Sequence, residues 1–325
     1  MDALVQNKRI NEPDSRLLSA QNELLFGLTR EKKFINPKFF YDDHGSKLFE
    51  YITTLPEYYP TRTEIDILQT NADSISNRTG RYCQLIEPGA GSCEKVTYLL
   101  DAIQPSAFYP QDISEDFLQQ TAERLRHKYN WLNVIPLPGD FHDEIHVPKN
   151  GIKAKRVVFY PGSTIGNFEP TQAAAFLNRM RQLIGQSGGI IIGVDLQKEH
   201  SILNAAYNDV HGVTAEFNLN ILNHVNQLLD SDFELKNFKH HAFYNDEYHR
   251  IEMHLESLIE QTVVCQNQPV TLQKGERIHT ENSYKYTLES FNHLANSAGL
   301  KVRQSWLDEN CLFSVHYLEC ESAQT

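Results

Sequence analysis

No stretch of the chain is apolar for the roughly 20 residues that a membrane-spanning helix needs, so a membrane partner is not expected. Cysteine is scarce. Cys83, Cys93, Cys265, Cys311 and Cys320 are odd in number and no two form a C-x-x-C pair. That speaks against a disulfide framework or structural zinc, and for a reducing, cytoplasmic setting. Residues Met1 to Glu12 are polar and lack the apolar core of a signal peptide. Positive charge is also short: 30 Lys and Arg face 42 Asp and Glu, for a net charge of −12. Phosphate contacts need a basic face, so nucleic acid is not the expected principal partner. The 14 histidines do not add up to a metal site. His142 and His146 are four apart, but Glu144 is misplaced for H-E-x-x-H, and Gly139 and Pro148 leave little room for a long helix. His240, His241, His249 and His254 are scattered through a polar region, and no metal is expected.

What is present is an ordinary globular composition, 40% hydrophobic and 22% charged, over 325 residues, enough for a large core and two domains. Residues 14–34 carry a helical pattern, and an aromatic-rich loop follows over 36–45. A short helix through Leu48, Phe49, Tyr51 and Ile52 ends at Pro56. Thr61-Arg62-Thr63-Glu64 has the S/T-x-x-E spacing of a capping box and is expected to open the next helix. From 82 to 197, strands at 83–87, 107–111, 132–137, 156–160 and 189–195 alternate with helices at 93–103, 114–128 and 170–185. The runs 156–160 and 189–194 are nearly all apolar, as in central strands covered on both faces. This is a doubly wound α/β pattern. The alternation stops after Asp195. A long helix over 215–229 and strand-like pieces at 251–255 and 261–264 mark a second, α+β domain. A helix at 287–298 then leads into strands at 300–306 and 313–318, which resemble the antiparallel edge hairpin of methyltransferase sheets.

The segment Leu85-Ile86-Glu87-Pro88-Gly89-Ala90-Gly91-Ser92 reads as a buried strand, an acidic end, a glycine turn and a helix start. The third glycine of the dinucleotide fingerprint is missing; Glu94 stands there, and its carboxylate would oppose a pyrophosphate. S-adenosylmethionine (SAM) carries no phosphate. Gly89 and Gly91 suit close backbone approach to its amino-acid end. Asp112, 21 residues beyond Gly91, suits the ribose hydroxyls, and Asp140 with Phe141 suits the adenine. The bland alternative is an ordinary strand-to-helix turn with surface acids.

Longer blocks carry a more specific likeness. Phe40-Tyr41-Asp42, the run Leu55 to Glu64, Gly162 to Asn167, Gly212 to Asn218, Arg250-Ile251-Glu252-Met253 and Thr280-Glu281-Asn282-Ser283 resemble the histidine-specific Nα-methyltransferase family. The likeness runs from about Phe34 to the C-terminal hairpin. It implies a Rossmann-like class I SAM-dependent methyltransferase sheet plus an α+β substrate-binding domain. The implied layout is 1–60 as the N-terminal part of the substrate-binding domain, 61–196 as the SAM-binding domain, 197–284 as the inserted substrate-binding domain, and 285–325 as the return to the sheet. The implied reaction is trimethylation of the histidine α-amine to hercynine, the first step towards ergothioneine, by a cytoplasmic monomer. SAM contacts carry over to Tyr41, Gly89, Lys95, Asp112, Asp140 and Phe141, with Gly91 in the same turn. Amino-acid contacts carry over to Tyr58, Asn167, Tyr207, Glu281 and Ser283, with Met253 close by.

These residue types suit the task. Asn167 and Tyr207 can donate to a carboxylate, while Glu281 and Ser283 can read the two nitrogens of a neutral imidazole. Asn282 between them is expected to point away in an extended strand. Pro88 departs from the family turn and removes one backbone N–H. Tyr58 is expected to orient the attacking amine as the catalytic group, and Phe49, Tyr41 and Tyr58 to face the growing quaternary ammonium. Three rivals stay open: the same chemistry on another amino acid such as tryptophan, a non-catalytic SAM-binding module, and a nicotinamide oxidoreductase.

Overall fold

The computed structural model of the chain describes residues 15–141, 144–148 and 153–321. His142 and Asp143, and with them the paired-histidine reading, lie outside the described residues. Two compact units divide the chain. One comprises Met1–Glu50, Val210–Ala242 and Met253–Glu281, and the other Tyr51–Asp209, Phe243–Glu252 and Asn282–Thr325.

The larger unit is built on strands β1 (Gln84–Pro88), β2 (Ala107–Asp112), β3 (Leu137–Pro138), β4 (Arg156–Tyr160), β5 (Gly189–Asp195), β11 (Leu300–Leu307) and β12 (Phe313–Cys320). They form one sheet in the order β11-β12-β5-β4-β1-β2-β3. Neighbours from β3 to β5 are parallel, whereas β12 runs antiparallel to both β5 and β11. Insertion of the reversed last strand between β5 and β11 is the feature that the closing hairpin anticipated.

Alternation along the strands explains the two cores. Leu85, Phe108, Val157, Phe159, Ile191 and Val315 enter one cluster, with Leu68, Leu99 and Leu125 from α3 (Tyr59–Thr70), α5 (Thr97–Ile103) and α6 (Glu115–Lys128). Ile86, Tyr109, Val158, Tyr160, Ile190 and Ile192 enter the other, with Phe176 and Leu177 of α7 (Pro170–Ile184) and Phe291 of α10 (Leu288–Ser297). A sheet sandwiched by helices has no wet face, and this is why its central strands carry no polar alternation.

Three local expectations are corrected. The helix expected from 93 opens only at Thr97, because Cys93 adopts φ 51° in the turn before it. Of the strand expected at 132–137, only a bridge from Val134 to Phe108 and the two residues of β3 pair. The capping box at Thr61 does not form: α3 already begins at Tyr59 with Pro60 in its first turn. Glu64 instead turns inward and is 1% exposed. Its carboxylate accepts from Lys95 Nζ at 2.6 Å and from the Gly162 amide at 2.9 Å. Gly193 of β5 makes room for it, since a Cβ there would lie 1.9 Å from Glu64 Oε1.

The smaller unit packs α1 (Ser15–Leu28) and α9 (Val213–Leu229) with parts of β6 (Phe238–Asn245), β7 (Arg250–Ser257) and β10 (Arg277–Tyr284), and adds a β8–β9 hairpin (Gln261–Cys265, Gln268–Leu272). Strands β10, β7 and β6 pair in that order. Between α1 and α9 in sequence comes α2 (Asp43–Ile52), most of which belongs to this unit. Among the described residues no helix is long and apolar enough to cross a membrane.

The Glu64 arrangement yields a direct test. Gly193→Ala is expected to cost about 1–3 kcal/mol by overpacking, measured by urea denaturation, with more lost if the Glu64–Lys95 pair breaks.

Candidate active site

In the larger unit the sheet order reverses direction between β1 and β4, and ligands of open α/β sheets bind at such a switch point, beyond the carboxyl ends of the strands. The loops there are tied to one another. The Ala90 amide donates to the Gln111 carbonyl at 2.8 Å and the Gly139 amide to the Asp112 carbonyl at 2.9 Å. Gly89 and Gly91 both adopt positive φ, 65° and 49°. A side chain at Gly89 would meet the Phe141 ring at 3.1 Å, so that turn needs glycine on two counts. Asp112 ends β2, and its carboxylate accepts from the Gly91 and Ser114 amides, each at 3.0 Å. Phe141 stands edge-on to Tyr160, Phe168 and Phe176. Asp140 precedes it and is half-buried.

Glu87, at the end of β1, is buried. Burial raises its carboxyl well above the usual range, against the opposing pull of Lys95. Its Oε2 has no protein partner among the described residues. A glycine cradle, a ribose-type acid at the next strand end and an unsatisfied buried carboxyl oxygen beside them fit a small polar, non-phosphorylated cofactor such as SAM.

A second polar centre lies at the end of β5. Asp195 is 1% exposed and accepts from Tyr59 Oη at 2.7 Å, Lys198 Nζ at 2.6 Å and Lys285 Nζ at 2.7 Å. Burial pushes the Asp195 carboxyl up, but the two ammonium groups prevail and hold it below its ordinary value. Burial pushes Lys285 down, yet Asp195, helped by Tyr207, holds it above the usual lysine range. For Lys198 burial prevails, and its ammonium is depressed to about 8. Backbone pairing sets the register: the Tyr286 amide donates to the Asp195 carbonyl at 3.0 Å and the Gln197 amide to the Tyr286 carbonyl at 2.9 Å.

Residues 282–285 alternate cleanly around this centre. Ser283 Oγ accepts from Lys285 Nζ at 2.7 Å and from Tyr207 Oη at 2.8 Å. Asn282 and Tyr284 turn the other way and donate to the Glu169 carboxylate at 2.9 and 2.7 Å. Asn282 thus points away from Ser283, as its place in a strand requires. Tyr58 is half-buried, its ring 6.3 Å from that of Tyr207 in an edge-to-face contact. Asn167 is the last residue of a 3-10 turn over Thr164–Asn167 that leaves β4. Gly166 in that turn admits the backbone of Tyr284, where a Cβ would lie 2.8 Å from the carbonyl oxygen.

The smaller unit holds the other predicted residues. Tyr41 and Phe49 stand edge-on at 5.6 Å, each with its ring 5.9 Å from that of Phe217, which stacks on Phe40 at 4.5 Å. Asp42 caps α2 through the Gly45 amide at 2.6 Å and accepts from Asn220 at 2.8 Å. Asn218, fully buried on α9, donates to the His254 carbonyl at 3.0 Å and accepts from Thr280 Oγ1 at 2.8 Å. The single Thr280 hydroxyl proton is shared between that Asn218 oxygen and the Met253 carbonyl at 3.0 Å, which ties together the strands bearing Met253 and Glu281. Met253 is 1% and Glu281 9% exposed, so neither is a solvated surface side chain.

Sequence reasoning missed Glu64, Asp195, Lys198, Lys285, Glu169 and Asn218. The available signals were an acid closing the all-apolar run of β5, and a lysine in phase with Ser283.

The sheet order, the single reversed strand and the glycine–acid crevice define a Rossmann-like, class I SAM-dependent methyltransferase. The profile of the family described as histidine-specific methyltransferase, SAM-dependent, matches residues 20–320, and the chain belongs to that family. It is 36% identical over 301 residues to the histidine N-alpha-methyltransferase of Mycolicibacterium smegmatis, covering 91% of this chain and 93% of that one. It is 27% identical over 340 residues to a 4-dimethylallyltryptophan N-methyltransferase of Epichloe festucae var. lolii, covering 95% and 98%. Among solved structures, the CcbJ methyltransferase of Streptomyces caelestis aligns with a TM-score of 0.47 at 13% identity, covering 79% of this chain and 96% of that one.

Glu87 generates a pH prediction. Its pKa is raised on folding, so its contribution to stability is full below about 4.5 and is lost as pH rises toward the folded value. Glu87→Gln is therefore expected to raise the melting temperature at pH 8 and to leave it unchanged near pH 4. An equal effect at both pH values would contradict a protonated Glu87.

Proposed function

We propose that this chain transfers three methyl groups from SAM to the α-amine of L-histidine, giving hercynine and feeding ergothioneine synthesis. The observation that carries this reading is the likeness to a histidine Nα-methyltransferase along nearly the full length of both chains. The chain acts on a small molecule, in this proposal as a cytoplasmic monomer, with residues 1–60 and 197–284 serving substrate and 61–196 with 285–325 serving SAM.

Gly89, Gly91, Lys95, Asp112, Asp140 and Phe141, with Tyr41, hold SAM. When bound, SAM supplies an electrophilic methyl. The chain's own residues then position the acceptor. Asn167 donates to the substrate carboxylate. The Tyr207 proton, which lies on Ser283 in the structure, turns to the same carboxylate. Tyr58 orients the amino group. Only a neutral amine has the lone pair to attack, and partial desolvation favours that form. Holding the amine in line removes an entropic part of the barrier. Glu281 accepts from one imidazole N–H and Ser283 donates to the other nitrogen, while Met253 limits the width of the ring pocket. The aromatic faces of Tyr41, Phe49 and Tyr58 accommodate a permanent cation through all three transfers.

A second reading, the same chemistry on a tryptophan-type substrate, draws on the likeness to the 4-dimethylallyltryptophan enzyme. Glu281 weighs against it, since a buried carboxylate suits an imidazole donor and an indole offers no second ring nitrogen to Ser283.

Mass spectrometry of the protein incubated with SAM and each of the twenty amino acids separates the readings. Histidine alone is expected to gain about 42 Da, three methyl groups on one nitrogen. Product from tryptophan alone would discard the Glu281 and Ser283 roles. Asp112→Asn is expected to weaken S-adenosylhomocysteine about 10- to 100-fold by calorimetry, as loss of a charge-assisted hydrogen bond does. Unchanged affinity would remove Asp112 from the cofactor site.

A further inference from the structure

We infer that Lys285 is a positioning residue that makes the amino-acid site selective for the uncharged imidazole ring, by fixing Ser283 as a hydrogen-bond donor to substrate. The inference rests on the proposed role of Ser283 and adds the group that enforces it.

The geometry leaves little freedom. An ammonium has three donors and no acceptor, so its bond to a hydroxyl cannot be reversed. Lys285 Nζ spends its donors on Asp195 Oδ2 at 2.7 Å, Ser283 Oγ at 2.7 Å and Tyr207 Oη at 3.3 Å. Ser283 Oγ therefore always accepts from Lys285, which takes one of its two lone pairs; the other is held by Tyr207 Oη at 2.8 Å, and the Ser283 proton points elsewhere. A ligand atom meeting that proton must carry a lone pair. The unprotonated nitrogen of a neutral imidazole has one, whereas both nitrogens of an imidazolium are donors. An imidazolium could reach only the lone pair that Lys285 leaves, and would bring a second positive charge to an oxygen 2.7 Å from a buried ammonium, a repulsion that a neutral ring avoids.

The charges facing Lys285 do not undo this. Among the described residues Asp195 is the one carboxylate paired with it, and that carboxylate also serves Lys198 and Tyr59. Tyr207 and Ser283 are neutral, and the Lys285 backbone amide is bound to the His249 carbonyl. The local balance of Asp195, Lys198 and Lys285 is positive while both lysines are protonated. Glu281, two residues before Ser283 on β10, would by itself favour a cationic ring, and the Lys285–Ser283 pair supplies the opposing preference.

The test compares histidine with triazolylalanine, an analogue whose ring offers the same donor and acceptor but stays uncharged in mild acid. The ratio of their kcat/KM values cancels the titration of the α-amine and of the enzyme. In the wild-type chain the histidine-to-analogue ratio is expected to fall about tenfold per pH unit below the imidazole pKa of about 6.5. In Lys285→Met the same fall should flatten to threefold or less, because the ammonium that repels a second cation at Ser283 is gone. Asp195→Asn combined with Lys285→Met avoids leaving a carboxylate short of a partner and should show the same flattening. A ratio that is flat with pH in the wild type overturns the inference whether or not the variants fold. So does a fall in the variants as steep as in the wild type. Failure of the wild-type chain to methylate histidine at all would instead overturn the proposed function.

Discussion

A carboxylate buried at the end of a central strand is costly unless cations and donors surround it, and Asp195 is surrounded on every side. Tyr59 reaches it from the start of α3, Lys198 from just beyond β5, and Lys285 from just beyond β10. Its amide donates to Ser163 Oγ at 2.9 Å, in the turn that leads to Asn167. One ion cluster thereby ties the methyltransferase sheet to the strand bearing Ser283 and to the turn bearing Asn167. Removing a single partner would strand a buried charge, which is more damaging than replacing the whole cluster. Two residues of the proposed amino-acid site, Ser283 and Tyr207, touch the cluster directly through Lys285.

The two lysines of this cluster are not equivalent. Lys285 is enclosed and held protonated by Asp195, whereas burial depresses Lys198 to about 8. The fixed charge is the one beside Ser283, and the more easily lost charge is Lys198, three residues beyond Asp195. A site that must recognise one protonation state of its ligand gains from a neighbour whose own charge does not vary over the same pH range.

The sheet was legible because its signals are local. Apolar runs such as Ile190–Val194 admit few alternatives, and a glycine turn after an acidic strand end locates the crevice. The helix start at Thr61 was misread because a capping-box spacing records only local chemistry. Pro60 started the helix earlier, and tertiary contacts with Lys95 and Gly162 claimed Glu64. The Asp195–Lys285 pair was illegible for a related reason: its members stand far apart in sequence and meet only when the sheet forms. Ser283 and Glu281 became recognisable through a family likeness, and spacing alone would have left them as solvated strand positions. Their burial reflects a constraint that no window of sequence contains.

The central claim is that the site takes histidine with an uncharged ring, and proton counting by calorimetry addresses it most directly. Histidine and triazolylalanine would each be titrated into the wild-type chain saturated with S-adenosylhomocysteine, at a pH near 5.5, in buffers of different ionisation enthalpy. About one more proton should be released on binding histidine than on binding the analogue, because the imidazolium must shed its charge to enter. Equal proton release for the two ligands would mean that the ring binds charged, and would contradict the account.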